Sequence, residues 1–139
     1  MILRLDLSGE VPIYQQIRDR IVEEIASGGL RAGSPLPSTR QLALDLGINF
    51  HTVNKAYDLL RREGLLVVNR KSGAVVRRGP ADGPPAPPFT TDWESRLRTL
   101  LAEAVAQGLD DASVTDACRH VLTTFTHPND PRQGETTQP

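Results

Sequence analysis

A chain of 139 residues with 38% hydrophobic and only 4% aromatic residues holds one or two small domains with mainly aliphatic cores, too small for a large buried pocket. The single cysteine, Cys118, allows no intrachain disulfide, the charged opening Met1-Ile-Leu-Arg-Leu-Asp6 is not the apolar run of a signal peptide, and no stretch approaches the roughly 20 apolar residues of a membrane span, so the cytoplasm is expected. The formal net charge of −1 conceals an asymmetry: residues 1–79 hold 12 Lys and Arg against 8 Asp and Glu, a net of +4, and residues 80–139 hold 4 against 9, a net of −5. A basic front half is drawn to a polyanion and an acidic back half is turned away from it.

In chain order, Leu3, Leu5 and Leu7 alternate and predict a short leading strand or arm. Pro12, at a first turn, opens a helix in which Ile13, Ile17, Ile21, Val22 and Ile25 recur at three- and four-residue steps until Ser27-Gly-Gly29 stops it. This apolar row reads as core packing, which makes the helix a scaffold. Residues 30–37, with Gly33, Pro35 and Pro37, form an extended connection. A shorter helix follows over 36–47: Ser38 with Gln41 is a capping-box pattern, Leu42 and Leu46 form a buried edge, and Gly47 ends the helix in the left-handed conformation.

Asn49 caps the next helix, which Gly64 closes. Val53, Ala56, Tyr57 and Leu60 stand at i, i+3, i+4 and i+7, the narrow stripe of a helix lying on a core. Its other face carries His51, Thr52, Asn54, Lys55, Asp58, Arg61 and Arg62. The first two turns of that face offer short hydrogen-bonding groups and one cation, which suits base edges and phosphates; a solvated surface helix shares the outline. Two helices joined by roughly three residues that include a glycine make a helix-turn-helix, whose second helix enters a major groove. Leu65–Asn69 and Ala74–Arg78 then flank Arg70-Lys-Ser-Gly73, predicting a β-hairpin with a basic tip. The expected fold is mostly α within the α+β class: an N-terminal winged helix-turn-helix over residues 1–79.

Pro12-Ile-Tyr-Gln-Gln-Ile17, Gly33-Ser-Pro-Leu-Pro-Ser-Thr-Arg-Gln-Leu-Ala43, Thr52-Val-Asn-Lys-Ala-Tyr57 and Arg62-Glu-Gly-Leu65, separate motifs in this order, resemble the DNA-binding domain of the GntR family of bacterial transcriptional regulators. The short remainder resembles the small YtrA-like branch, because neither a long ligand-binding domain nor an aminotransferase-like domain fits in it. The resemblance implies a sequence-specific regulator of transcription, a repressor occupying its operator. It places Arg40 in the family's Pro-Ser-x-Arg motif as a phosphate or base contact, a role that the planar guanidinium fork suits. The other reading of Arg40 is a surface cation paired with Asp45 or another acid. Asn49, Phe50, His51, Thr52, Asn54 and Lys55 align with the family's base and phosphate contacts.

This chain departs from the family at two places. Many relatives carry arginine or asparagine where His51 stands, and His51 reads equally as a DNA donor or a solvated histidine. Phe50 is bulky for an exposed site; it reads as a contact to a thymine methyl or as a ring folded back on the core. The wing tip has Lys71-Ser-Gly-Ala74 in place of the usual Gly-x-Gly-Thr, so Arg70, Lys71, Ser72 and Gly73 are expected at a minor groove, or else as a plain charged hairpin.

Gly79-Pro-Ala-Asp-Gly-Pro-Pro-Ala-Pro-Pro88 reads as a proline-rich spacer of about 3.1 Å per residue, which sets the linker at residues 80–90. Beyond it, over 91–127, Asp92 caps a helix carrying Leu97, Leu100, Leu101, Ala104 and Val105, which Gly108 ends. Asp110 or Asp111 starts another with Val114, Ala117, Cys118, Val121, Leu122 and Phe125. Two helices of this length cannot bury both stripes alone, so they are expected to form a dimerisation hairpin against a second copy. The homodimer then spaces two recognition helices by one helical turn of DNA, ~34 Å, or a multiple of it, on a near-palindromic operator. Residues 128–139 read as a disordered tail.

Cys118, His120 and His127 do not make a metal set, since Cys118 lies on the apolar stripe and His120 points away from it. No catalytic triad, phosphate-cradling loop or paired carboxylates occur, so neither enzyme activity nor a cofactor is expected. Two rival functions remain: a protein–protein interaction module whose basic half is only scaffold, and a small-molecule sensor with a pocket in the dimer, its effector unidentified.

Overall fold

A computed structural model of the chain describes residues 3–69 and 73–125. The row of isoleucines forms α1 (Ile13–Ser27), with Ile17, Ile21 and Ile25 buried and Ile13 and Val22 packed at the margin of the same core. Pro12 stands at the N-cap, one position before the expected first turn, and its carbonyl accepts from the N–H groups of Gln15 and Gln16, both at 3.1 Å. The segment ahead of it is an arm and not a strand. Leu3 and Leu5 pack against the core, while the Gln16 amide accepts from Asp6 N–H (2.7 Å) and donates to the carbonyls of Asp6 (2.8 Å) and Val11 (2.9 Å). One side chain thus satisfies backbone groups that a sheet ladder would otherwise have to pair.

The connection over 30–37 contains β1 (Pro35–Leu36), a two-residue strand where only an extended link was expected. After α2 (Thr39–Leu46) and α3 (Phe50–Arg62) come β2 (Leu66–Asn69) and β3 (Gly73–Val76), giving an antiparallel sheet of order β1-β3-β2. Leu36 faces Ala74 across one pair, and Leu66 faces Val76 across the other. Proline at 35 and 37 keeps β1 short and at an edge, because neither residue can donate to a ladder.

Gly73 has a structural reason to be glycine. Its φ of 85° is left-handed, and a Cβ there would stand 3.1 Å from the Leu36 carbonyl oxygen and 3.5 Å from the Ser38 nitrogen. The wing is thereby seated against the backbone that leads into α2. Arg70, Lys71 and Ser72 lie outside the described residues, as do 126–139, which include His127 and the expected tail.

The chain divides into two compact units, Met1–Asp82 and Gly83–Pro139. The expected spacer over 80–90 is shortened: a single 3-10 turn (Pro80–Asp82) ends the first unit, and in the second α4 runs from Pro87 to Ala106. Pro87 and Pro88 occupy the first helical turn, where a missing N–H leaves nothing unpaired and a φ near −65° is already helical. Asp92 is therefore inside α4 and does not cap it. The earlier start also lengthens the apolar row, since Phe89 and Trp93 precede Leu97 and Leu101 at four-residue steps.

Asp110 caps α5 (Asp111–Thr123), accepting from Ser113 N–H at 2.8 Å, and hydrogen bonds from Ser113 hold its carboxyl below the usual range. Neither helix buries a residue. Leu97, Leu101, Ala104, Val114 and Phe125 are half-buried, and Leu100, Val105, Cys118, Val121 and Leu122 are exposed. Among the described residues no helix is long and apolar enough to cross a membrane.

Candidate nucleic-acid interface

The helix-turn-helix is set by caps that the local sequence supplies. Ser38 Oγ accepts from Gln41 N–H at 3.1 Å, but the reciprocal half of a capping box is absent because Gln41 Nε2 donates to Asp45 Oδ1 at 2.7 Å. Gly47, with φ 67°, turns the chain. Asn49 Oδ1 then accepts from His51 N–H at 2.9 Å, which fixes the start of α3 and leaves the Asn49 amide N–H groups as its remaining donors.

The inner face of α3 is sealed: Val53, Ala56 and Leu60 are 0% exposed and Tyr57 is 2% exposed. The Tyr57 hydroxyl donates to the Pro37 carbonyl at 2.8 Å, tying α3 to the entry of α2. Burial pushes this phenol above its ordinary pKa, so it remains a neutral donor across the physiological range. With α3 clamped at both its capped end and its middle, the outward residues have a fixed direction.

On that outer side His51, Asn54 and Lys55 are exposed and Thr52 is half-buried. In the last turn of α3 two arginines share one acid: Asp58 binds Arg61 at 2.6 Å and Arg62 at 3.0 Å, and the Arg61 bond, first among its contacts, holds its carboxyl below the usual range. Arg18 pairs with Glu63 at 2.6 Å and Asp19 at 3.1 Å, and Arg20 with Glu23 at 3.1 Å. The hydrogen bond that Arg18 donates to the Glu63 carboxylate is the main cause that raises the Arg18 pKa.

Arg40 and Lys55 differ. Among the described residues neither has a carboxylate partner, and Asp45, the acid that the sequence offers to Arg40, is engaged by Gln41. The Arg40 guanidinium lies over the Phe50 ring, 5.0 Å from its centroid, and Lys55 Nζ lies 4.0 Å from the centroid of Tyr14. Phe50 itself packs on the core margin, with its ring centroid 4.1 Å from that of His51. Arg40, Phe50 and His51 thus form one contiguous set at the junction of α2 and α3. Gly73 pairs with Asn69 in the last ladder step before the wing tip.

Tyr14 is the residue that sequence reasoning missed. It stands one step off the isoleucine row of α1, so periodicity did not separate it from the scaffold. Among the described residues no group of three or more His, Cys, Asp and Glu is placed to hold a metal ion.

Three helices, a short sheet with a hairpin wing, and an outer helix face rich in amide and cationic groups define a winged helix-turn-helix protein. Residues 13–76 match the family described as bacterial regulatory proteins, gntR family. Over 110 residues the chain is 36% identical to the HTH-type transcriptional repressor YtrA of Bacillus subtilis, covering 79% of this chain and 78% of that one. The solved structure of YtrA from Sulfolobus acidocaldarius, a GntR-family transcription factor, is 42% identical with a TM-score of 0.59, covering 76% of this chain and 99% of the other. A transcriptional antiterminator from Listeria monocytogenes superposes with a TM-score of 0.81 over 91% of this chain and 95% of its own; at 23% identity this is a likeness of fold alone. Two longer relatives, matched over 80 and 103 residues, are spanned to only 16% and 22% of their length. The chain belongs to the GntR family, and the relatives that it matches are named transcriptional regulators.

Proposed function

We propose that this regulator is a homodimeric repressor that occupies a near-palindromic operator in the cytoplasm. Arg40, Asn49, His51, Thr52, Asn54 and Lys55 face one major groove, with Arg40 and Lys55 engaging phosphate or guanine. Phe50 supports them from the core margin. Arg70, Lys71 and Ser72, between Asn69 and Gly73 of the hairpin, reach the neighbouring minor groove. The apolar rows of α4 and α5 pack on those of a second copy, so that two recognition helices meet successive grooves.

The observation that carries this reading is the pair of cations without carboxylate partners at the recognition surface, in a unit where Arg18, Arg20, Arg61 and Arg62 are held by acids. Charge left uncancelled on an exposed face is what a phosphate backbone attracts. That the Bacillus subtilis relative is named a repressor supports repression over activation.

The test is a competition titration of the purified protein on DNA upstream of its own gene against a random duplex of equal length at moderate salt. The proposal expects a preference of at least about a thousandfold. Equal affinity for the two would leave only non-specific attraction and would favour the interaction-module reading.

A further inference from the structure

We infer that Tyr14 and Phe50 are positioning residues for DNA binding: aromatic platforms that hold Lys55 and Arg40 in place without cancelling their charge. The inference rests on the reading of these two cations as DNA contacts.

A long cationic side chain on a surface is fixed in one of two ways. A carboxylate fixes it but cancels its field and competes with any incoming phosphate. An aromatic face attracts the cation through its quadrupole, carries no net charge, and leaves the outer side of the cation open. The first unit uses both devices, and it uses them in different places. Arg18, Arg20, Arg61 and Arg62 rest on carboxylates, whereas Lys55 and Arg40 lie 4.0 and 5.0 Å from ring centroids. Both distances are within the roughly 6 Å over which the attraction acts.

The platforms are themselves anchored, since Tyr14 and Phe50 are half-buried against the core. Tyr14 comes from α1, so the scaffold helix takes part in shaping the recognition face. Lysine and arginine lose much rotamer freedom when a ligand immobilises them. Confinement against a ring before DNA arrives removes part of that loss, and the gain appears as affinity.

This mechanism has a signature that a lost phosphate contact does not share. Removing a contact cation lowers both affinity and the salt dependence of binding, because fewer counterions are released. Removing the platform lowers affinity while the cation stays, so the salt dependence is unchanged.

The test uses the full chain and a fluorescein-labelled random-sequence duplex, titrated over a range of salt concentrations. Tyr14 is changed first to Phe and then to Leu. The Phe-to-Leu step removes the ring with the hydroxyl already absent, so any separate contact by the hydroxyl drops out. That step is expected to weaken binding about two- to fivefold per bound subunit with an unaltered salt slope. In a Lys55→Ala background, whose slope is itself lower by about 1, the same step is expected to cost nothing.

An equal cost in both backgrounds, or a slope that falls on ring removal, would overturn the platform role. A loss on Lys55→Ala without coupling to Tyr14 overturns the platform alone. No change in affinity or slope on Lys55→Ala overturns the contact reading and the platform together. Phe50→Leu, read with and without Arg40→Ala, repeats the cycle on the other cation and keeps the inference testable should Tyr14→Leu fail to fold.

Discussion

Replacing Arg40 and Lys55 together with alanine weakens specific binding by about thirtyfold or more while the protein stays folded. The magnitude follows from about 1–3 kcal/mol for each good contact to a base. If both cations also touch phosphate, the slope of log affinity against log salt falls by about 1 for each cation removed. Stability is spared because both side chains are exposed and without ion pairs among the described residues. Each substitution loses only a ring contact of about 0.5–1 kcal/mol. Anisotropy titrations with a thermal melt of the same samples check both halves. A folded double variant with undiminished affinity would place DNA recognition elsewhere and favour a partner protein as the target.

The second large effect is expected at the other end of the chain. Leu100→Glu combined with Leu122→Glu is expected to convert the proposed dimer to a monomer. The side chains concerned are 61% and 69% exposed within one chain, so a lone subunit gives up little packing when they change. In a two-fold interface they meet their own kind, and each glutamate then brings an uncompensated charge into an apolar seam. Light scattering should report one subunit, and circular dichroism an unaltered helix content. Operator half-saturation should move up by about a hundredfold or more, because the second half-site is no longer bound intramolecularly. A variant that remains a dimer of wild-type affinity would locate the interface away from α4 and α5.

The elements that the sequence disclosed are those governed by rules acting within a few residues. The isoleucine row of α1, the Val53-Ala56-Tyr57-Leu60 stripe, the caps Ser38 and Asn49 and the glycine stop at Gly47 all belong to this group. What escaped has two sources. Proline is ambiguous: Pro87 and Pro88 suit an extended spacer and a first helical turn equally, and only the helix that follows decides. With the start of α4 misplaced, Phe89 and Trp93 dropped out of the apolar row.

The other source is contact between segments far apart in the chain. β1 exists because β3 pairs with it, and Gly73 is glycine because the backbone of Leu36–Ser38 passes beside it. The Gln16 clamp on the arm and the ring of Tyr14 under Lys55 are likewise products of packing. Within the recognition face, residue types were legible, but which cations stand free of acids was not. That property depends on where Asp45 and Asp58 turn their oxygens, and here they turn to Gln41 and to Arg61 and Arg62.

The most direct examination of the whole picture is a hydroxyl-radical footprint of the wild-type protein on DNA upstream of its gene. Two helices held in successive grooves by paired subunits should leave two protected patches, related by approximate two-fold symmetry and centred about 34 Å apart or a multiple of that. A single patch, or even protection along the duplex, would contradict it.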